Sequence, residues 1–399
     1  MTGPTRLARL TRPRAHRDRF DRVRVGLFFE PIAPLPTVRA NINIARASGA
    51  DDIWFADHTK SLLPTAAWDP STNPMAKLVP DLDAYFDPTA VISRYAGAGG
   101  LTMGSCVTDA IRRTPADLAR AWLSMHHLSK GRVILGIGSG EAENTVPYGL
   151  ALDRPVSRLD DALTAIRAAW ASHTEPVDHS GPFHTWRDAT FALPGWHDTH
   201  PPIWVAGQGP RASRIAGAHG DGWIHIHENF DHWSAGWEQV QAGAARAGRD
   251  PGRMERSLLI ATLLVPTEKD LLLACTRPTV RAFALAQRGS AWTAAGGEHP
   301  FGRDFGGFSE INPAEITPAT FAEAGRAVTP EVYRRLMPCG AAGQVVDYLR
   351  RFIDAGVTHI TVLNIAPTCG VGIAARSLLE QRRLVHQLKR IPLSLRPPG

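Results

Sequence analysis

The chain has 399 residues, 44% of them hydrophobic and 21% charged, with 44 Lys and Arg against 38 Asp and Glu for a net charge of +6. These proportions exclude an intrinsically disordered or fibrous chain and leave room for one large domain or two ordinary ones. Residues 1–24 hold eight arginines and two aspartates, which accounts for the whole net charge, so the rest of the chain is neutral. A basic face for a nucleic-acid duplex belongs on folded structure, and here the charge sits on a tail; nucleic acid is not an expected partner.

In chain order, residues 1–22 read as a disordered basic tail without the apolar stretch of a secretory signal, and no later run is long enough for a transmembrane helix. From residue 23 a unit recurs eight times: a short apolar, β-branched or aromatic run, a polar or glycine-rich turn, then apolar residues at helical spacing. Strands are predicted at 23–29, 52–56, 101–107, 132–137, 202–206, 222–226, 257–265 and 359–364. Helices are predicted at 36–48, 88–98, 115–129, 155–171, 210–219, 233–247, 343–355 and 374–390. Thr114-Pro115 opens one of them and Gly131 closes it, as a first-turn proline and a terminal glycine should. This alternation implies a parallel sheet with helical crossovers, and eight units favour a closed (β/α)₈ TIM barrel over an open doubly wound sheet.

The expected organisation is a single barrel domain over 23–399 with insertions at 59–87, 172–200 and 287–342. The second insertion reads as a hairpin pairing 181–186 with 189–193, and the third carries a helix near 319–327. Loops that follow barrel strands build the active site, so these insertions would wall a substrate pocket. Cys106, Cys275, Cys339 and Cys369 are scattered with no C-x-x-C pair. That argues against a disulfide framework or a cysteine zinc site and fits a reduced, cytoplasmic location.

The residues just after each predicted strand carry the candidate chemistry. Asp57-His58 follows the run Ile53-Trp54-Phe55-Ala56, so a strand would deliver an imidazole to the mouth beside a carboxylate able to fix its tautomer. Gly136-Ile137-Gly138-Ser139-Gly140-Glu141 departs from the dinucleotide fingerprint G-x-G-x-x-G at its last position, where Glu141 stands. Glycines there would let a flat ring or phosphate approach the backbone, with a carboxyl at the edge. Gly207-Gln208-Gly209-Pro210-Arg211 precedes a helix and suits an anion. His225 and His227 share one strand face, but no third ligand stands at suitable spacing, so no metal is expected. Glu30 closes the first strand.

These residues together resemble the luciferase-like barrels, which use flavin or the deazaflavin coenzyme F420. The resemblance is carried by 49–58 (GADDIWFADH), 104–108 (GSCVT) with 112–116 (RRTPA), 128–141 (LSKGRVILGIGSGE), 202–207 (PIWVAG) and 220–223 (GDGW). The match runs in order from about residue 24 to 395. Within that family the chain is most similar to the F420-dependent, phthiodiolone ketoreductase-like branch, through Pro147-Tyr148-Gly149 and Glu298-His299-Pro300-Phe301-Gly302. The resemblance implies an F420-dependent oxidoreductase moving hydride between the deazaflavin and a carbonyl/secondary alcohol pair. The substrate would be a hydrophobic ketone.

It implies that His58 exchanges a proton with the substrate oxygen and Glu141 stands near the ring nitrogen that gains charge. Asp57 would hold the cofactor and orient His58, while Ser105 and Cys106 would form a bulge behind the ring at a non-proline cis peptide. Thr108 and Asn144 would hydrogen-bond the ring or its tail beside the Gly138-Ser139-Gly140 turn, and Gly207, Gln208 and Gly209 would take the phosphate. A homodimer is common among such proteins. An FMN-dependent monooxygenase on the same fold is the alternative, and a non-catalytic cofactor- or lipid-binding barrel a further one. The family's sugar-phosphate dehydrogenases carry a tryptophan four residues after the histidine. Leu62 stands there, so a sugar phosphate does not follow.

Overall fold

The structure is a computed structural model that describes residues 21–172, 175–310, 313 and 315–393. Most of the basic tail, residues 1–20, lies outside the described residues. At its end Arg22 forks onto the Asp51 carboxylate at 2.8 and 3.0 Å.

Eight parallel strands close on themselves: β1 (Arg24–Phe29), β2 (Asp52–Phe55), β3 (Thr102–Ser105), β4 (Val133–Gly138), β5 (Ile203–Ala206), β6 (Gly222–Ile226), β7 (Glu255–Leu264) and β8 (His359–Asn364). Each pairs with the next, and β8 returns to β1 in the register Arg24↔His359 through Leu27↔Val362. The fold is the (β/α)₈ TIM barrel expected from the alternation. Every residue of β2 and β4 is buried, as required of strands covered by the barrel interior on one side and helices on the other.

The helices ring the barrel: α1 (Leu35–Ser48), α2 (Pro88–Tyr95), α3 (Pro115–Leu128), α4 (Pro155–Ala171), α5 (Pro210–His219), α6 (Phe230–Arg246), α7 (Ala342–Asp354) and α8 (Val371–Leu388). Local chemistry sets their ends. Thr114 caps α3 by accepting from Asp117 N–H, and Gly131, at φ 82°, returns its N–H to His126 O.

The barrel interior is filled by Phe28, Trp54, Ile134, Trp204 and Ile224 from five of the strands, with the Trp54 and Trp204 rings 4.9 Å apart. Such bulk needs small neighbours. A Cβ on Gly104 would stand 2.5 Å from the Trp54 ring, so only glycine fits there. At the floor, Arg24 bridges Asp52 and Glu255, while Asp52 also accepts from Trp54 Nε1 at 2.5 Å and lies 3.0 Å from His359 Nε2. Thr358 Oγ1 donates to Glu255, and Ser257 Oγ meets His359 Nδ1 at 2.9 Å. The Ser257, His359 and Asp52 chain has the order of a hydrolytic triad, but all three side chains are fully buried. No substrate reaches it, so it is a structural network.

α5 and α6 touch backbone to backbone. A Cβ on Gly217 would lie 2.0 Å from Val240 O, and one on Gly243 would lie 2.0 Å from Arg214 O. Gly217→Val is therefore expected to cost about 1–3 kcal/mol or more, because the helices must part to admit it. Urea unfolding followed by tryptophan fluorescence reads this directly. A loss below about half a kcal/mol would mean the helices part freely.

Two insertions differ from expectation. The hairpin pairs Val177–Ser180 with Thr185–Ala189, so Gly181–Trp186 is not one strand. The reason is tertiary: Asp161 on α4 sits 2.8 Å from His179 Nε2 and 2.9 Å from His184 Nδ1, and accepts from the Phe183 and His184 amides. That anchor makes residues 181–184 the turn. The insertion after β7 starts well before 287, as the helices Glu268–Ala274, Pro278–Leu285 and Gly289–Ala294, followed by Pro318–Ala324 and Pro330–Leu336. It packs with the segment around Leu63, Ala67 and Val79 into a second apolar core over the barrel mouth, fastened where Thr279 Oγ1 donates to Ala67 O at 2.8 Å. Among the described residues no helix is long and apolar enough to cross a membrane.

Candidate active site

Above the carboxyl ends of the strands lies a cavity of about 440 Å³, within the range of small-molecule sites. Its walls bring together Asp57, Thr108, Gly138, Ser139, Gly140, Glu141, Asn144, Gly207, Gln208 and Gly209, residues separated by up to 152 positions in sequence. The strand ends place them. Thr108 follows β3 and pairs back onto β4, the 138–141 turn ends β4, and 207–209 leads from β5 into α5.

His58 is not on the cavity wall but directly behind it, with Nε2 3.3 Å from Glu141 Oε2 and its side chain 12% exposed. Its Nδ1 is buried without a partner. The Tyr85 ring packs on the imidazole with centroids 5.8 Å apart. Burial holds the imidazole below its ordinary range, partly offset by the Glu30 carboxylate. At neutral pH the ring is therefore uncharged, with one N–H to give. Burial pushes the Glu30 carboxyl up, and burial together with the Glu141 charge pushes Glu143 up to about 7.

Two expected roles are corrected by the geometry, those of Asp57 and Asn144. Asp57 does not orient His58: Arg113 holds its carboxylate at 3.1 and 3.2 Å, and Arg112 approaches at 3.4 Å while donating to Asp57 O. The carboxyl at the imidazole is Glu141. Asn144 has its amide consumed within the protein. Its Oδ1 accepts from Thr59 N and Oγ1 and from Lys60 N, and its Nδ2 donates to Glu141 at 3.2 Å and Glu143 at 3.4 Å.

Ser105 and Cys106 lie behind the cavity floor rather than on it. The Ser105 hydroxyl donates to Gly136 O at 2.7 Å, and burial raises the Cys106 thiol to about 12. Val107 and Thr108 face the cavity instead, and the cis peptide is Cys106-Val107. His225 and His227 are both buried: His225 Nε2 lies 3.1 Å from His232 Nδ1, and His227 Nε2 lies 2.6 Å from Tyr348 Oη. His227 still borders the cavity, beside Glu228 and Arg288, which pair at 2.9 Å.

The residues missed by sequence reasoning are Glu143, Glu228 and Arg288, and Tyr85 was expected only as one aromatic of an insertion near a hydrophobic substrate. Tyr85 and Arg288 come from insertions whose path no local pattern reveals. Glu143 could have been found, because a second carboxylate two residues after Glu141 in a tight turn has few other places to go.

The cavity fits a ring with an anionic tail. Thr108 Oγ1 and Gln208 Oε1 are buried polar atoms without a partner at its edge, the state expected where a ligand completes the hydrogen bonding. Gly209 faces open space as the N-cap of α5, with Arg211 in the first turn of that helix, an arrangement that attracts a phosphate. The walls between are apolar, formed by Val107, Val156, Ala206, Ile224, Ile226 and Phe308.

Comparison with known proteins agrees with this fold. The luciferase-like monooxygenase family model matches residues 24–359. A phthiodiolone/phenolphthiodiolone dimycocerosates ketoreductase of Mycobacterium kansasii is 33% identical over 360 residues, covering 88% of this chain and 98% of that one. Among solved structures, an F420-dependent secondary alcohol dehydrogenase in complex with an F420-acetone adduct superposes with a TM-score of 0.69 at 21% identity, covering 91% of this chain and 99% of that one. The coenzyme F420-dependent tetrahydromethanopterin reductase of Methanopyrus kandleri gives 0.70 at 18% identity, covering 92% and 100%. On the match to its family model and its ketoreductase relative, the chain belongs to the luciferase-like monooxygenase family.

Proposed function

We propose that this protein is an F420-dependent oxidoreductase that moves hydride between the deazaflavin and a carbonyl/secondary alcohol pair. The observation that carries the reading is the contact of His58 with Glu141 at the rim of a cavity whose other end is the first turn of α5. When bound, the deazaflavin supplies or accepts the hydride. The rest is done by the chain. The glycine turns at 138–140 and 207–209 leave room for the ring and its phosphate, and Thr108 and Gln208 offer their unpartnered atoms to its polar edges. His58, uncharged and in contact with the cavity through Glu141 at Nε2, exchanges a proton with the substrate oxygen.

Support for F420 over FMN comes from the two F420-dependent enzymes that share the fold, and support for a carbonyl substrate from the ketoreductase relative. An FMN monooxygenase remains the alternative reading, since the matching family is described by that activity. The apolar cavity wall and the Tyr85 ring over His58 support a hydrophobic ketone as substrate. A cytoplasmic location and a homodimer complete the proposal, the latter open to sedimentation analysis. Titration of the purified protein with F420 and with FMN, followed by quenching of tryptophan fluorescence, tests the cofactor. Tight F420 binding with weak FMN binding is the expected result. The reverse order would replace the ketoreductase reading with the monooxygenase, and binding of neither would leave a non-catalytic barrel.

A further inference from the structure

We propose that the groove between α4 and the hairpin binds the carboxylate-bearing end of the cofactor's tail. The inference rests on the F420 reading above and extends it beyond the phosphate. A second cavity of about 420 Å³ lies there, lined by Arg154, Ser157, Asp160 and Thr164 from the start of α4 and by His179 and Phe183 from the hairpin. Arg211, in the first turn of α5, is the one residue that lines both this groove and the cavity above the strands. Its guanidinium donates to Ser157 Oγ at 2.7 Å, which draws it from α5 toward α4, and among the described residues it has no carboxylate within ion-pair distance.

The charges along the groove favour an anion. Arg154 and Arg158 lie over the Phe183 ring at 4.7 and 4.5 Å, so two long side chains are held in place before any ligand arrives. They share a single carboxylate, Asp153, which Arg158 takes at 2.6 Å and Arg154 meets only at 3.7 Å. Asp161 also lines the groove, but its side chain is 2% exposed and its oxygens are engaged by His179, His184 and the Phe183 and His184 amides. Asp160 stands at the rim, with His219 Nε2 at 2.9 Å. Arg154, Arg158 and Arg211 against Asp153 and Asp160 leave one positive charge on the accessible wall.

The tail of F420 continues past its phosphate as a chain of glutamates. A phosphate at the first turn of α5 puts the start of that chain beside Arg211, and the groove begins on the other side of the same residue. Arg211 thus leads the tail out of the first cavity, and Arg154 pairs with a carboxylate further along. Exposed ion pairs are individually weak, so the groove sets a preference for tail length and adds little to binding of the ring.

Calorimetric titration of the purified protein with F420 carrying a short and a long glutamate tail tests this. The long-tailed form is expected to bind about three- to tenfold tighter at low salt, and the difference should largely vanish at about 0.5 M salt. Arg154→Ala should abolish most of the preference while leaving affinity for the short-tailed form within about twofold, since Arg154 lies outside the first cavity. Thr164→Glu, an exposed change on α4, adds a negative charge to the groove and should weaken the long-tailed form selectively. Equal affinity for both forms in the wild type, or a preference unchanged in both variants, overturns the proposal. If the short-tailed form binds without any length preference, the groove alone is removed and the cofactor reading stands; if neither form binds, the cofactor reading falls and the groove with it.

Discussion

Replacing His58 by alanine is expected to lower the rate of carbonyl reduction by about 10²–10⁴ while leaving F420 affinity within a few-fold, because the proposed general acid is lost but the cavity wall is intact. The geometry behind this is specific. His58 stands behind the wall, not on it, so its removal takes no atom from the lining residues, and its contacts are the Glu141 carboxyl and the Tyr85 ring. His58→Gln is the sharper variant, since an amide can keep a hydrogen bond to Glu141 without relaying a proton. Stopped-flow measurement of deazaflavin oxidation in the presence of a ketone separates the two effects. Full activity in both variants would remove His58 from the mechanism, and loss of binding with no change in the single-turnover rate would make it a cofactor contact.

The second large effect is structural. Asp52→Ala is expected to destabilise the fold by about 3–5 kcal/mol, because it strands Arg24, His359 and Trp54 Nε1 around a fully buried hole. Burial alone would raise the Asp52 carboxyl, but His359 and Arg24 outweigh it and hold it below the usual range. Such a group contributes stability at neutral pH, above the unfolded-state value near 4, and the contribution is lost as the pH falls below that. Wild-type stability in urea should therefore decline between about pH 4 and pH 2, and Asp52→Ala should flatten part of that decline. A variant within 1 kcal/mol of the wild type at pH 7 would show that the floor network carries little of the stability.

Periodicity alone was enough for the frame of the molecule. Eight apolar runs alternating with helical spacing leave few ways to bury both faces of a parallel sheet, and each predicted strand from 23–29 to 359–364 contains the observed one or overlaps it within a residue or two. Helix ends followed the same local chemistry, with Thr114, Pro115 and Gly131 bounding α3 through backbone hydrogen bonds between near neighbours. The strand-end residues were legible for a related reason: in a closed barrel every strand points its carboxyl end at one mouth, so Asp57, Thr108, Gly138 and Gly207 had to converge.

What the sequence could not determine is which atom meets which. Asp57 adjoins His58 in the chain, but successive residues at a strand end diverge, and two arginines from the next unit claim the carboxylate. Glu141, 83 positions away, takes the imidazole instead. Asn144 is a ligand type by composition and an internal brace by geometry. The hairpin slipped because Asp161, on another element, selects its turn. The insertion after β7 was underestimated because short helices have too few turns to show a period. Local order follows from residues within a few positions of each other, which a sequence displays directly. The pairing of charges and hydrogen bonds in the site is chosen by competition among partners brought together only on closure of the barrel, so the tertiary structure alone decided it.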